Sequence, residues 1–396
     1  MNLNMRSDLY EISFFKQFSC AIKDCPNTCC KGWRVIFDEE TYQRYLAEPG
    51  ANGIRLRSSI KKINEEVYFR TSLKRCTFYE KEGTCNLQRT LGTDYMPLVC
   101  RQYPRFYQHY GPFAEETLFL SCPEAARLFI EHIDELVFIK SDREITYERW
   151  GTNDDKAYLR WLCELRKAII EAVWDEEKTR EQVFARLSAA MKEIQDLCIH
   201  GIELPAVNDI MQKHNDEGEL HISAQVTDQM ITNGFYHSRL KKISPKLYEL
   251  CRYYFRIFDR LTAGQADARA GELRKNLHAG NPRIEHILRG YFVYYLQMVF
   301  LEVYEDYSFV KKLAGGIMHV HMLELFLALA CERNVKKYKK AGLSSGKQHG
   351  EFLGDGSLYR FSDDELAYLI SIYDRRGRHN EDVAEGMYEK YTKNQL

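Results

Sequence analysis

The chain has 396 residues, 45% of them hydrophobic and 29% charged, and its 56 basic side chains against 57 acidic ones leave a net charge of −1. That length carries two domains or one large one, and the charge balance gives no reason to expect nucleic acid or an anionic membrane as the main partner. The polar start, Met1 to Glu11, has no apolar core or cleavage site of a secretion signal. The apolar stretch Tyr291 to Leu301 falls short of the ~20 residues that a spanning helix needs, so a soluble, cytoplasmic protein is expected.

The patterns predict a mainly α fold with a small α+β cysteine-rich N-terminal domain, residues 1–150. A helical domain, residues 151–396, completes the cofactor and substrate site. In chain order, Arg34 to Phe37 reads as a short strand. Asp38 then caps a helix over Glu39 to Leu46, which Pro49-Gly50 ends. Val67 to Phe69 and Cys76 to Tyr79 read as strand pieces, and Glu80 to Gly83 as the turn before Cys85. Phe106 to Leu120, interrupted by Gly111-Pro112, reads as a hairpin. Ser121-Cys122-Pro123-Glu124 opens a helix, because proline suits its first position and acid its first turn.

From about Asp154 apolar residues recur at three- and four-residue steps, as in Leu159, Leu162, Leu165, Ile169 and Val173. Glu181 to Leu197, Leu247 to Leu261, Ile284 to Val303 and Met318 to Ala330 repeat the pattern. Ser362-Asp363-Asp364-Glu365 is a capping box. Lys336 to Gly356, rich in Lys, Gly and Ser, is expected to be a mobile loop.

Twelve cysteines are present, and eight of them lie in the first 122 residues: Cys20, Cys25, Cys29, Cys30, Cys76, Cys85, Cys100 and Cys122. In a chain without an export signal such clustering favours metal binding or redox chemistry over disulfides. Thiolates select zinc, copper(I) or iron–sulfur clusters, and four of them hold one [4Fe–4S] cluster or one zinc. Eight exceed one such site. Adjacent Cys29 and Cys30 are expected to point apart and so to feed two centres, or to leave one thiol outside the first. Cys122 stands where the helix dipole favours thiolate. Cys163, Cys198, Cys251 and Cys331 sit in apolar helical patterns and read as packed hydrophobes.

Four runs carry a resemblance: Cys20-x4-Cys25-x3-Cys29-Cys30-x-Gly32-Trp33, Cys85-x-Leu87-Gln88, Pro97-x-x-Cys100-Arg101-x-Tyr103-Pro104-Arg105, and Ser121-Cys122-Pro123-Glu124-Ala125-Ala126. Together they resemble the flagellin lysine-N-methylase family and the broader group of zinc- or iron-chelating cysteine domains. The likeness covers about residues 10 to 130 and is looser beyond. It implies an enzyme that methylates flagellin lysines with S-adenosylmethionine and holds an iron–sulfur cluster, [4Fe–4S] with zinc as the alternative metal, on the eight cysteines. Flagellin is then the protein partner. The rival expectation is a chelating, cluster-carrying or redox-sensing protein without methyl transfer.

The methyl-transfer machinery is not legible beside it. No strand followed by a Gly-x-Gly loop of the Rossmann kind was recognised, and the cysteine spacing differs from the Cys-x3-Cys-x2-Cys of radical enzymes. Arg101 and Arg105 are candidates for binding the carboxylate of the cofactor, against ordinary surface charge balance. Trp33 is a candidate to shield the cluster or stack on adenine, against core packing. His319 and His321 point to different faces of a helix, which speaks against a shared metal. Glu285-His286 reads as a solvated helix start, and Lys336 to Lys340 as a solvated basic run.

Overall fold

A four-stranded mixed sheet brings the chain's start beside its middle. The computed structural model describes residues 5–21, 24–31, 35–64, 66–72, 75–80, 83–147, 155–236, 240–241, 244–341, 350–353 and 357–377. Strand β1 (Met5–Ile12) runs toward the thiol-rich segment. Beyond it come α1 (Glu39–Ala47), α2 (Gly50–Ser59), β2 (Ile60–Ile63), β3 (Glu66–Phe69), β4 (Thr71–Ser72), β5 (Arg75–Cys76), α3 (Asn86–Leu91) and α4 (Leu98–Gln102). The hairpin β6 (Arg105–His109) and β7 (Phe113–Leu118) follows, then α5 (Pro123–Glu131) and β8 (Phe138–Tyr147). The sheet order is β6-β7-β1-β8, with β1 parallel to β7 and antiparallel to β8.

The expected hairpin and the helix after Cys122 are present, with Gly111 at φ +86° in the turn. Asp38 caps α1 through its carboxylate, which accepts from the Thr41 N–H at 2.7 Å. Three expectations need correction. Pro49-Gly50 ends α1 but at once opens α2, with Pro49 as its N-cap. Residues 35–37 make only an isolated bridge, Ile36 to Tyr68, with hydrogen bonds from Phe37 to Val67 and from Phe69 to Val35; Arg34 lies outside the described residues. Of Cys76 to Tyr79 only Cys76 is in a strand, because Tyr79 N–H turns back onto the Cys76 carbonyl.

The second half is helical, as its periodicity predicts: α6 (Lys156–Val173), α7 (Arg180–Ile199), α8 (Val207–Lys213), α9 (Ala224–Met230), α10 (Pro245–Phe258), α11 (Ala263–Gly280), α12 (Ile284–Val299), α13 (Val303–Asp306), α14 (Phe309–Ala341) and α15 (Asp363–Gly377). The hairpin β9 (Glu351–Leu353) and β10 (Leu358–Arg360) precedes α15. Gly354-Asp355-Gly356 does follow strand β9, but the chain returns as an antiparallel strand, so this is no dinucleotide-type strand–loop–helix unit. Helix α11 escaped the periodic reading because small residues fill it. The basic run Lys336–Lys340 is not a loop: it continues α14, while residues 342–349 and 354–356 lie outside the described set.

Residues Phe309–Lys337 of α14 are long and apolar enough to cross a membrane by composition, yet their apolar 18-residue core is buried inside the bundle. Two cores result. The larger runs from Ile12 through Leu136 and the helices to Tyr373. The smaller is formed by Val35, Phe37, Tyr45, Leu56, Val67, Phe69, Phe78 and Leu87, against which Cys76, Cys85 and Cys100 pack.

Candidate metal centre

The first thiol-rich segment is folded as turns at Pro26-Asn27 and Cys29-Cys30. The Cys30 carbonyl accepts from the Cys76 N–H at 2.9 Å, and Lys31 bridges to Arg75. Tyr79 bridges Cys85, whose neighbour Asn86 donates its N–H to the Phe78 carbonyl. Main-chain pairing therefore draws Cys30, Cys76 and Cys85 together. Cys100, on α4, lies close enough to Cys76, Cys30 and Cys85 for their charges to raise its pKa further, after burial has done most of the work. These four form one group.

Cys20, Cys25 and Cys122 lie near the start of α5. Cys122 is the N-cap of that helix, and it feels the charges of Cys25 and Cys20. Arg375, near the end of α15, ties the two segments together. It donates to the main-chain oxygens of Asn27 at 2.9 Å, Thr28 at 3.1 Å and Ser121 at 2.9 Å, and to Tyr103 Oη at 3.3 Å. Tyr103 Oη also shares a hydrogen bond with Ser121 Oγ at 3.1 Å. Cys29 sits between the groups: it interacts with Cys30 and Cys100, and Tyr103 feels both Cys29 and Cys122.

Protonation differs sharply between neighbours. The Cys29 thiol donates to the Cys30 sulfur, which pushes Cys29 well up. The same bond, opposed by burial and helped by Thr28, Lys31 and Arg375, brings Cys30 down to about 6. The two side chains thus meet, contrary to the expectation that they point apart, because the pair lies in a turn rather than a strand. Burial pushes Cys76 up to about 12 and Cys122 up to about 11. At Cys122 the main-chain N–H groups of Ala125 and Glu124 act in the other direction, so the helix start alone does not make this thiol a thiolate. A bound cation reverses that balance by releasing the protons.

Among the described residues no three His, Cys, Asp or Glu side chains close around a single metal ion. Four thiolates on one zinc would stand about 3.8 Å apart, from a bond length of ~2.3 Å. The donor set itself, soft sulfurs beside Arg375 or Lys31, suits a thiolate-held centre.

The remaining candidates fare unevenly. Arg101 is exposed on α4. Arg105 starts β6 with its guanidinium over the rings of Phe18 and Phe15, at 5.2 and 5.8 Å, so aromatic faces engage it. Trp33 lies outside the described residues. His319 meets Tyr373 Oη while His321 meets Thr227, so the two do face apart. Glu285 and His286 are not simply solvated: Glu285 pairs with Arg180 and Arg289, and His286 with Asp134. Arg375 was missed, since nothing near it in the sequence marks a partner 348 residues away.

Comparison with known proteins supplies an independent line. A lysine-N-methylase of Salmonella typhimurium is 27% identical over 149 residues, 36% of this chain and 37% of that protein. That of Salmonella choleraesuis is 28% identical over 150 residues, with the same shares. The chain is related to the lysine-N-methylases. The matched region spans little more than a third of those proteins' length. The flagellar biosynthetic protein FliU of Salmonella muenchen is 29% identical over 131 residues, 31% of this chain and 78% of that protein. No family profile matches the chain, and no solved structure does.

Proposed function

We propose that this chain is a cytoplasmic protein-lysine N-methyltransferase that takes its methyl group from S-adenosylmethionine and acts on flagellin, with its N-terminal thiols holding iron–sulfur centres. The observation that carries the reading is the kinship with lysine-N-methylases in a chain with eight cysteines in its first 122 residues. The similarity to the flagellar biosynthetic protein FliU supports a flagellar substrate.

The chemistry is a displacement. The neutral lysine amine, whose free pKa is ~10.4, must arrive without its proton. Its lone pair forms the N–C bond to the methyl carbon as the C–S bond breaks, and that electron pair stays on sulfur. Positive charge passes from sulfur to nitrogen, and the proton then leaves to water. The centres are divided as Cys30, Cys76, Cys85 and Cys100 on one side, and Cys20, Cys25 and Cys122 on the other, with Cys29, which lies between them, as the fourth ligand of the second. A [4Fe–4S] cluster would take four thiolates, as many as the first group offers. When bound, a cluster supplies Lewis acidity or redox chemistry. The chain's own part there is to hold the cysteines in mostly half-buried, partly electropositive surroundings.

The test is transfer of label. Anaerobically purified protein, flagellin and S-adenosylmethionine carrying a tritiated methyl group are combined, and flagellin is examined by mass spectrometry. Methyl-lysine in flagellin is expected. Iron-loaded protein that never labels flagellin sinks the reading in favour of a chelating, carrier or sensing role.

A further inference from the structure

Far from the thiols in sequence, the helical half keeps a charged network where an apolar core would suffice. Glu324 of α14 is 2% exposed and accepts from Arg180 at 2.9 Å and from His278 at 2.8 Å, with Arg274 at 3.3 Å. Burying such ions costs more than apolar packing of equal volume, so stability alone does not explain them. Of these charged groups Arg274 lines a cavity of about 300 Å³ between α9, α10, α11 and α14, a size and setting usual for a small-molecule site.

The polar groups around it have a fixed direction. Arg274 Nη2 lies 2.8 Å from His321 Nδ1, and arginine can only donate, so Nδ1 accepts and Nε2 carries the hydrogen. That Nε2–H is donated to Thr227 Oγ1 at 2.8 Å, and the Thr227 hydroxyl passes its own hydrogen to the Ser223 carbonyl. His321 is thereby held neutral and serves to orient Arg274. Among the described residues Arg274 Nη1 has no hydrogen-bond partner, and the side chain is 32% exposed at the cavity.

Asp267, Ala270, Gly271 and Arg274 are spaced three and four apart, so one face of α11 lines the cavity with an acid at one end and a guanidinium two turns away. Opposite stand the stacked rings of Tyr254 and Phe258, 4.5 Å apart. Gly271 is the second pointer. Glycine inside a helix is unfavourable, and a Cβ here would meet no protein atom within 4 Å. Gly271 is exposed and lines the cavity, so the space over it is open.

We propose that this cavity takes the methyl donor, its carboxylate on Arg274, its cationic amino and sulfonium groups toward Asp267, and its purine against the Tyr254–Phe258 wall. The inference rests on the methyltransferase reading above and places its donor. A lysine side chain alone would offer no acceptor to Arg274 Nη1, whereas a zwitterion joined to a flat ring answers all three walls.

The experiment is calorimetric binding of S-adenosylhomocysteine to the full chain, purified anaerobically, for wild type, Gly271→Leu and Arg274→Gln. Leucine is a better helix former than glycine, so Gly271→Leu keeps the fold while filling the cavity; a thermal melt checks this. A loss of affinity of tenfold or more in both variants is expected, with a matching rise in KM for the donor. If Gly271→Leu folds and binds as wild type does while flagellin is still methylated, the donor sits elsewhere and only the cavity assignment falls. If wild type neither binds the probe nor methylates flagellin, the methyltransferase reading fails and takes the cavity with it.

Discussion

Arg375 reaches Asn27 twice, donating from Nη1 to the side-chain oxygen at 3.2 Å and from Nη2 to the main-chain carbonyl at 2.9 Å. The two residues are 348 positions apart. The same guanidinium holds Ser121, next to Cys122. One fork therefore registers the Cys25–Cys29 turn against the start of α5, and helix α15, packed on α5, supplies the rigid base.

Removing that fork leaves several carbonyls unpaired, each costing about 1–3 kcal/mol where buried. Arg375→Ala is expected to lower stability by about 3 kcal/mol, read as a shifted denaturation midpoint. Cys25 and Cys29 should also alkylate faster in the metal-free protein. Arg375→Lys should recover little of either effect, since an ammonium lacks the planar fork. Unchanged labelling in Arg375→Ala would deny the clamp.

What could be read in the sequence was local. Asp38 before α1, Cys122-Pro123 before α5 and Ser362 before α15 announce helix starts by residue type, and all three are there. Gly111 announced the β6–β7 turn. Strands β1 and β8 were not legible, because β1 mixes apolar Leu9 with buried Glu11, whose charge is answered by Arg143 across the sheet. Helix α11 was not legible because its cavity face is Asp, Ala, Gly and Arg. For the site, sequence gathered the eight thiols but left their grouping open. The grouping proposed above draws on the Cys30–Cys76 main-chain bond and on Arg375, both long-range contacts that no local pattern encodes.

The division into two thiol groups predicts a pattern of losses. One cluster needs four thiolates, so Cys76→Ser or Cys122→Ser should each remove about half of the iron and sulfide bound by wild type. Cys76→Ser with Cys100→Ser should remove no more than either alone, being members of one group. Cys76→Ser with Cys122→Ser should remove nearly all of it. Iron and sulfide analysis with Mössbauer spectroscopy reads this directly. A single substitution that empties the protein of iron would instead mean one shared centre.

His321 predicts how the helical half responds to acid. Burial, and then the neighbouring Arg274 and Arg180 opposed by Glu324, push its pKa down to about 3, from an ordinary value of 6.5. Between those limits the unfolded chain binds a proton that the folded one does not, so stability is full above about pH 6.5 and falls as the pH drops toward 3. The loss is up to about 1.4 kcal/mol for each pH unit. Glu324 adds to it at still lower pH, since its ion pairs hold its carboxyl well below the usual range. In His321→Gln the amide oxygen can accept from Arg274 and the amide N–H can donate to Thr227, with no proton to gain. Urea midpoints measured from pH 7 to pH 5 should therefore fall more steeply for wild type than for this variant. Parallel curves for the two proteins would show that the ring already titrates freely in the folded chain, and that Arg274 is not oriented by a neutral imidazole.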